Sequence, residues 1–136
     1  MEKIAPAREI LEQFDVSYDL HISSAHRNPE KTIALAQNAE TEGIEIIIAG
    51  AGLSAHLPGF IAAHTTLPVI GIPFAAGALN GLDSLFSIVQ MPAGVPVACM
   101  AINGAKNAAL FAIQILCLKD KALEEKYSAY KKGLKS

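Results

Sequence analysis

The residue types best suited to chemistry stand together in one polar segment, Ser24-Ala25-His26-Arg27-Asn28-Pro29. A histidine titrates near neutral pH and suits acid–base work, while an arginine holds an oxyanion through two parallel hydrogen bonds. Asn28 followed by Pro29 predicts a helix start, whose free backbone N–H groups favour an anion. The segment therefore suits a phosphate-binding site with a proton carrier, although a capped helix with a solvated His26 and Arg27 explains the same residues.

A second candidate segment, Gly50-Ala51-Gly52, follows a β-branched run, and His56 follows it closely. As a dinucleotide-binding signature it is weak, because Ala55 takes the place of the third glycine and no acidic residue ends the next strand. A tight turn that needs small residues is the favoured interpretation. His56 and His64 are eight positions apart, too far for a metal-ligand pair one helical turn apart. We expect no metal site and keep His56 as an active-site or capping candidate.

Helical and strand patterns alternate along the chain. Amphipathic patterns and capping signals predict helices over residues 3–13, 29–42, 54–64, 82–89, 107–118 and 120–132. Alternating or β-branched runs predict strands over residues 16–22, 44–49, 67–72 and 97–102. This order predicts a parallel sheet with covering helices, and ligands bind such sheets beyond the carboxyl ends of the strands. The two candidate segments both stand at that edge.

Composition excludes several classes of protein. The 136 residues suit one domain, 1–136, in which 119–136 form a C-terminal helical tail. Lys and Arg number 11 and Asp and Glu 13, giving a net charge of 11 − 13 = −2, which argues against a nucleic-acid binder. Apolar residues make up 51% and charged ones 18%, so disorder is excluded and oligomerisation is the natural way to cover apolar surface.

Further features of the sequence bear on the cellular compartment of the protein. No apolar run is long enough to cross a membrane, and the start Met1-Glu2-Lys3-Ile4 has no hydrophobic signal core. We therefore expect a cytoplasmic protein. Cys99 and Cys117 each stand in an apolar run, which favours buried thiols over a disulfide.

Several motifs become distinctive when they are taken together. They are Ser24-Ala25-His26-Arg27-Asn28-Pro29, Ala49-Gly50-Ala51-Gly52-Leu53-Ser54-Ala55-His56-Leu57-Pro58-Gly59, Ala78-Leu79-Asn80-Gly81-Leu82-Asp83-Ser84-Leu85 and Ser87-Ile88-Val89-Gln90-Met91-Pro92. The chain strongly resembles the N5-carboxyaminoimidazole ribonucleotide mutase family, also called the catalytic subunit of phosphoribosylaminoimidazole carboxylase. It is similar to the bacterial mutase branch, because Arg27 stands where the branch that uses free carbon dioxide typically has Lys.

The resemblance implies a flavodoxin-like three-layer parallel sheet, a homo-octamer, and neither a metal nor an organic cofactor. It implies an isomerase of de novo purine biosynthesis that decarboxylates a small ribonucleotide at an exocyclic nitrogen and recarboxylates it at ring carbon C4. His26 matches the proton carrier and His56 its catalytic neighbour. The positions that match substrate-binding residues are Ser24, Ala25, Arg27, Gly50, Ala51, Gly52 and Leu57.

The chain departs from the family pattern in several places, among them a turn at Asn103-Gly104-Ala105-Lys106 that looks shorter than in most relatives. Leu53-Ser54 replaces a smaller pair, and Ala75-Ala76-Gly77 stands where many members carry Gln-Ser and a basic residue. The family begins with a strand and a Gly-Ser-x-Ser-Asp phosphate loop, which would fall before Met1. We expect that this sequence is an N-terminally shortened form of an enzyme. One alternative is a truncated, non-catalytic paralogue that binds or assembles, and the other is a different enzyme acting on a phosphoribosyl ligand.

Overall fold

Helices and parallel strands alternate along residues 2–135, which the computed structural model describes. The helices are α1 (Ala5–Gln13, after a 3-10 turn at Glu2–Ile4), α2 (Pro29–Asn38), α3 (Leu57–Ala62), α4 (Leu82–Val89), α5 (Ala105–Cys117) and α6 (Lys121–Gly133). The strands are β1 (Ile47–Gly52), β2 (Val69–Phe74) and β3 (Ala98–Cys99).

The three strands form one parallel sheet in the order β1-β2-β3, with Ile47 paired to Val69 and Ile70 to Ala98. Ile70 and Ile72 of β2 are fully buried in a core shared with α1, α5 and α6. On the opposite face, a β-carbon added at Gly71 would meet side chains of α3 and α4. Helices therefore cover both faces of the sheet, and the predicted three-layer α/β fold is confirmed.

The predicted strand over residues 16–22 is wrong. This segment lies between α1 and α2 without regular structure, and it joins no ladder among residues 2–135. Val16 and Tyr18 pack on the main core, whereas Leu20 and Ile22 are 41% and 72% exposed. An alternating pattern describes one chain segment, but a strand also needs a hydrogen-bonding neighbour, which the pattern does not supply.

Most other helices and strands begin or end a few residues away from their predicted limits. Regular α2 stops at Asn38 rather than at residue 42, yet the predicted glycine cap is present. Ile44 N–H donates to Ala39 C=O, and Gly43, with φ +84°, donates to Glu40 C=O. This is the hydrogen-bond pattern of a Schellman motif, in which a left-handed glycine closes the last helical turn. The sequence signal therefore located the end of the helical path correctly.

Strands β1 and β2 lie two to three residues further along the chain than predicted, and β3 has only two residues. Consequently Gly50, Ala51 and Gly52 are the last residues of β1 and not a loop after it. Helix α3 is shorter than predicted and covers Leu57–Ala62. Helix α4 has the predicted bounds.

Candidate functional site

The turn that carries His26 is held by its own polar groups. Asn28 N–H donates to Ser24 C=O at 2.8 Å, and Arg27 N–H donates to Ser24 Oγ at 3.3 Å. Asn28 Oδ1 in turn accepts from Lys31 N–H at 3.1 Å, which makes Asn28 the N-cap of α2. These bonds satisfy backbone donors that the helix start leaves free, so they fix the backbone on both sides of the exposed His26.

A buried threonine anchors the same turn from below. Thr32 has no exposed surface, and its hydroxyl donates to Asn28 C=O at 3.0 Å. The Ser23 and Thr32 hydroxyl oxygens lie 2.7 Å apart, and Lys31 Nζ donates to Ile22 C=O at 3.1 Å. The segment before α2 is thus tied to its first turn at three points.

The second segment of the site runs from β1 into α3. Gly50, Ala51 and Gly52 are half-buried at the carboxyl end of β1, followed by Leu53 in a left-handed conformation with φ +53°. A β-carbon at Gly50 would lie 2.2 Å from Phe74 Cε2, so the close packing of β1 on β2 requires glycine there. His56 occupies the N-cap position of α3 without capping it through its side chain.

His26 and His56 meet in space although 30 residues separate them. His26 Nε2 lies 3.0 Å from His56 Nδ1, and the rings meet edge to face with centroids 4.9 Å apart. Either ring can be the donor, according to its tautomer. One proton fills this bridge, which leaves the other nitrogen of each exposed ring available to a ligand. The structure therefore joins the two candidate acid–base residues into one hydrogen-bonded pair.

A cavity of about 420 Å³ opens beside His56. It is lined by Ser54, His56, Gly59, Phe60, Ala63, Ser87, Met91, Pro92 and Val95. This size lies within the range of small-molecule sites, and the lining is mostly apolar with two hydroxyl groups. His56 thus stands between His26 and a concave surface.

The remaining predicted residues stand around the pair. Ala25 is buried under the turn, Arg27 is exposed, and Leu57 is half-buried at the first position of α3. No hydrogen bond joins Ser24 or Arg27 to β1 within residues 2–135. Ser24 and Arg27 therefore neighbour the pair through the turn before α2, whereas Gly50, Ala51 and Gly52 reach the site separately, from β1.

Three residues in or beside the site were missed by sequence reasoning. Lys3 Nζ donates to Ala75 C=O at 2.5 Å and lies 5.9 Å from the centre of the Phe74 ring, so a basic side chain does stand beside the 75–77 loop. Asn103 Oδ1 accepts from Ala75 N–H at 3.0 Å. Both contacts span long stretches of sequence, and no local pattern signals them. The third missed residue, Phe60, follows His56 by one helical turn, a spacing that was visible in the sequence.

Residues 2–135 contain neither a cluster of metal-ligating side chains nor a helix that could span a membrane. No group of three or more His, Cys, Asp or Glu side chains is arranged to hold a metal ion. No helix in this part of the chain is long and apolar enough to cross a bilayer.

A parallel sheet covered on both faces, with a histidine pair joining two of its connecting segments, defines a three-layer α/β protein with a candidate acid–base site. The fold is similar to the crystal structure of Treponema denticola PurE, with a TM-score of 0.86 and 28% identity over 98% of this chain and 83% of that one. The sequence profile of the AIR carboxylase family matches residues 1–136. The chain belongs to the AIR carboxylase family.

Curated relatives agree with this family assignment. The chain is 58% identical over 129 residues to the N5-carboxyaminoimidazole ribonucleotide mutase of Pyrococcus horikoshii, covering 95% of this chain and 73% of that protein. It is 51% identical over 129 residues to the enzyme of the same name from Escherichia coli K12, covering 93% and 76%. The resemblance deduced from the motifs is confirmed.

Proposed function

We propose that this chain converts N5-carboxyaminoimidazole ribonucleotide to 4-carboxy-5-aminoimidazole ribonucleotide, an isomerisation of de novo purine biosynthesis. Support comes from the relatives that bear the mutase name over nearly all of this chain. The net reaction moves a carboxylate from the exocyclic nitrogen to ring carbon C4 and a proton from C4 to that nitrogen. One group that gives and takes a proton in turn can serve both halves of the reaction.

The observation that carries the proposal is the 3.0 Å contact between His26 Nε2 and His56 Nδ1. In our assignment His26 is the proton carrier, and His56 is the catalytic neighbour that shares its bridging proton. The exposed His26 ring keeps its other nitrogen free to reach C4. Release and recapture of carbon dioxide need a small space, and the glycines and alanine at the end of β1 place no large side chain in it.

The substrate-binding residues are assigned by the same proposal. Arg27 and Ser24 bind the polar groups of the ribonucleotide, because the guanidinium is exposed and the Ser24 hydroxyl proton is free to donate. Ala25 and Leu57 shape the walls beside the two histidines. Backbone groups of Gly50, Ala51 and Gly52 approach the imidazole and carboxylate, since no side chain blocks them there.

A direct assay tests the proposal. The purified chain is mixed with freshly prepared N5-carboxyaminoimidazole ribonucleotide, and formation of the C4-carboxylated product is followed against an enzyme-free blank. The blank matters because a carbamate also loses carbon dioxide spontaneously. Product formation well above the blank supports the proposal. A folded chain that gives no more product than the blank overturns it and favours the non-catalytic alternative.

We also propose that the chain assembles as a homo-octamer in the cytoplasm. An exposed apolar row on and before α4 supports assembly: it comprises Leu79, Leu82, Phe86 and Val89, each about half exposed. Both cysteines are free thiols, in keeping with a reducing compartment. Sedimentation of the wild type, of Phe86→Glu and of the neighbouring control Ser87→Glu tests the assembly. Loss of the octamer in Phe86→Glu alone is expected, and a monomeric wild type contradicts it.

A further inference from the structure

Four rings stand in series from the histidine pair into α3. The His26 and His56 rings meet edge to face, and His56 meets Phe60 at 5.7 Å and 82°. Phe60 in turn contacts His64 at 4.8 Å. His56, Phe60 and His64 are spaced four residues apart, so they share one side of the helical path. We call these four residues the ring series.

His64 fixes the far end of the ring series. Its Nδ1–H donates to Phe60 C=O at 2.8 Å, a bond back along the helix that also determines its tautomer. Phe60 is half-buried and has a ring on each side, whereas His56 is exposed. The ordered part of the series is therefore Phe60 with His64, and the part that needs ordering is His56.

The His56 ring can adopt two orientations that differ by a half-turn, and only one of them forms the bridge to His26. Rotation about its last side-chain torsion is soft, and a half-turn puts carbon Cδ2 where Nδ1 stood. His26 Nε2 would then face a carbon, and the bridge would be lost. Within residues 2–135 the His56 side chain has a hydrogen bond to His26 only, so no second polar contact helps to fix the plane of its ring. The remaining ring contact of His56 is the nearly perpendicular one with Phe60, at 82°.

We infer that Phe60, held by His64, is a positioning residue that sets the plane of the His56 ring so that His56 Nδ1 meets His26 Nε2. This inference rests on the proposed function for its catalytic consequence, but its structural part is independent of it. Phe60 sets the ring plane, and the hydrogen bond to His26 then selects between the two half-turn orientations. Phe60 acts only through His56 and touches no reacting atom.

Kinetics test the catalytic consequence. Phe60→Leu removes the ring and keeps an apolar side chain, so kcat is expected to fall about two- to tenfold, the equivalent of one edge-to-face contact, with KM unchanged. Phe60→Tyr keeps the ring and restores kcat. In a His56→Asn background, Phe60→Leu causes no further loss. The matched control is Phe111→Leu, which removes another half-buried ring, on α5, away from the ring series.

Nitrogen-15 spectra of the imidazoles test the structural part without any activity. The chain has four histidines, so single His→Asn variants assign every ring signal. In the wild type, His56 is expected to show two well-separated nitrogen signals, as a fixed tautomer does. In Phe60→Leu they move toward their common average, and in Phe111→Leu they do not.

The outcomes separate this inference from the proposed function. An inactive wild type with His56 signals that depend on Phe60 overturns the function and upholds the positioning. An active wild type in which Phe60→Leu matches Phe111→Leu in kcat and in the His56 signals overturns the positioning and upholds the function. A rise in KM at constant kcat also overturns it, because Phe60 would then contact the substrate.

Discussion

Gly50 faces the ring of Phe74 so closely that a β-carbon there would lie 2.2 Å from Cε2 and 2.7 Å from Cζ. The contact brings β1 and β2 together at the edge where the candidate site lies. Overpacking of this kind costs about 1–3 kcal/mol, so we expect Gly50→Ala to lower the free energy of unfolding by that amount. Denaturant unfolding measures it. Adding Phe74→Leu should recover part of the loss, and Gly133→Ala, whose β-carbon meets nothing within 4 Å, should show none.

The N-cap of α2 couples stability to the position of His26. Asn28→Ala removes the acceptor for Lys31 N–H and is expected to cost about 1 kcal/mol of unfolding free energy. Since Asn28 also ends the turn that holds His26, we expect kcat of the proposed reaction to fall as well. Asp120→Ala removes the equivalent cap of α6, where Asp120 Oδ1 accepts from Leu123 N–H, and serves as the control. Equal kcat in the two variants would contradict the coupling.

His26→Asn separates chemistry from folding. His26 is exposed, and its side-chain hydrogen bond within residues 2–135 is to His56 alone, so the unfolding midpoint should hardly change. Loss of a general acid–base group lowers kcat by about 10²–10⁴-fold. His21 is also exposed but lies outside the ring series, so His21→Asn should keep full activity. Near wild-type turnover in His26→Asn would falsify the assignment of the proton carrier.

The raised pKa values of the two thiols can be tested by their rates of alkylation. Burial raises the pKa of Cys99; burial and then the Glu124 carboxylate raise that of Cys117. Alkylation needs the thiolate, so both should react more slowly in the folded chain at pH 8 than after unfolding. Because the thiol pKa is higher in the folded chain, each protonated thiol contributes to the free energy of unfolding. This contribution is complete below the unfolded pKa of about 8.5 and is lost as pH rises through the folded value. Equal alkylation rates in folded and unfolded chains would contradict the shift.

Helices were predictable because their signals are local. Asn28-Pro29 marks the start of α2, Gly43 closes its last turn, and the apolar pattern over Leu82–Val89 gives α4 its observed bounds. Each signal acts within a few residues, so no tertiary information is required. The family motifs likewise contain the two histidines that lie within hydrogen-bond distance of each other in the structure.

Strand pairing and the histidine contact depend on distant residues. The alternating segment 16–22 has the pattern of a strand but no partner among residues 2–135, and the pattern alone could not show this. The bridge between His26 and His56 depends on α2 and α3 packing side by side. The sequence predicted only that the two segments stand at the same edge of the sheet. Phe60 was open to prediction from its spacing after His56, but an aromatic one turn along a helix more often belongs to a core.

The outer edge of β1 has a kinetic consequence. Ile47 N–H donates to Pro68 C=O, so in a parallel ladder the backbone groups of Ile48, Gly50 and Gly52 point away from β2. No strand among residues 2–135 pairs with them. Amide protons along β1 should then exchange with solvent in a two-residue rhythm, slow toward β2 and fast on the outer side. The same row of free donors and acceptors is a template that can recruit a strand from another chain, so crowding during folding favours edge-to-edge aggregation unless that side is covered.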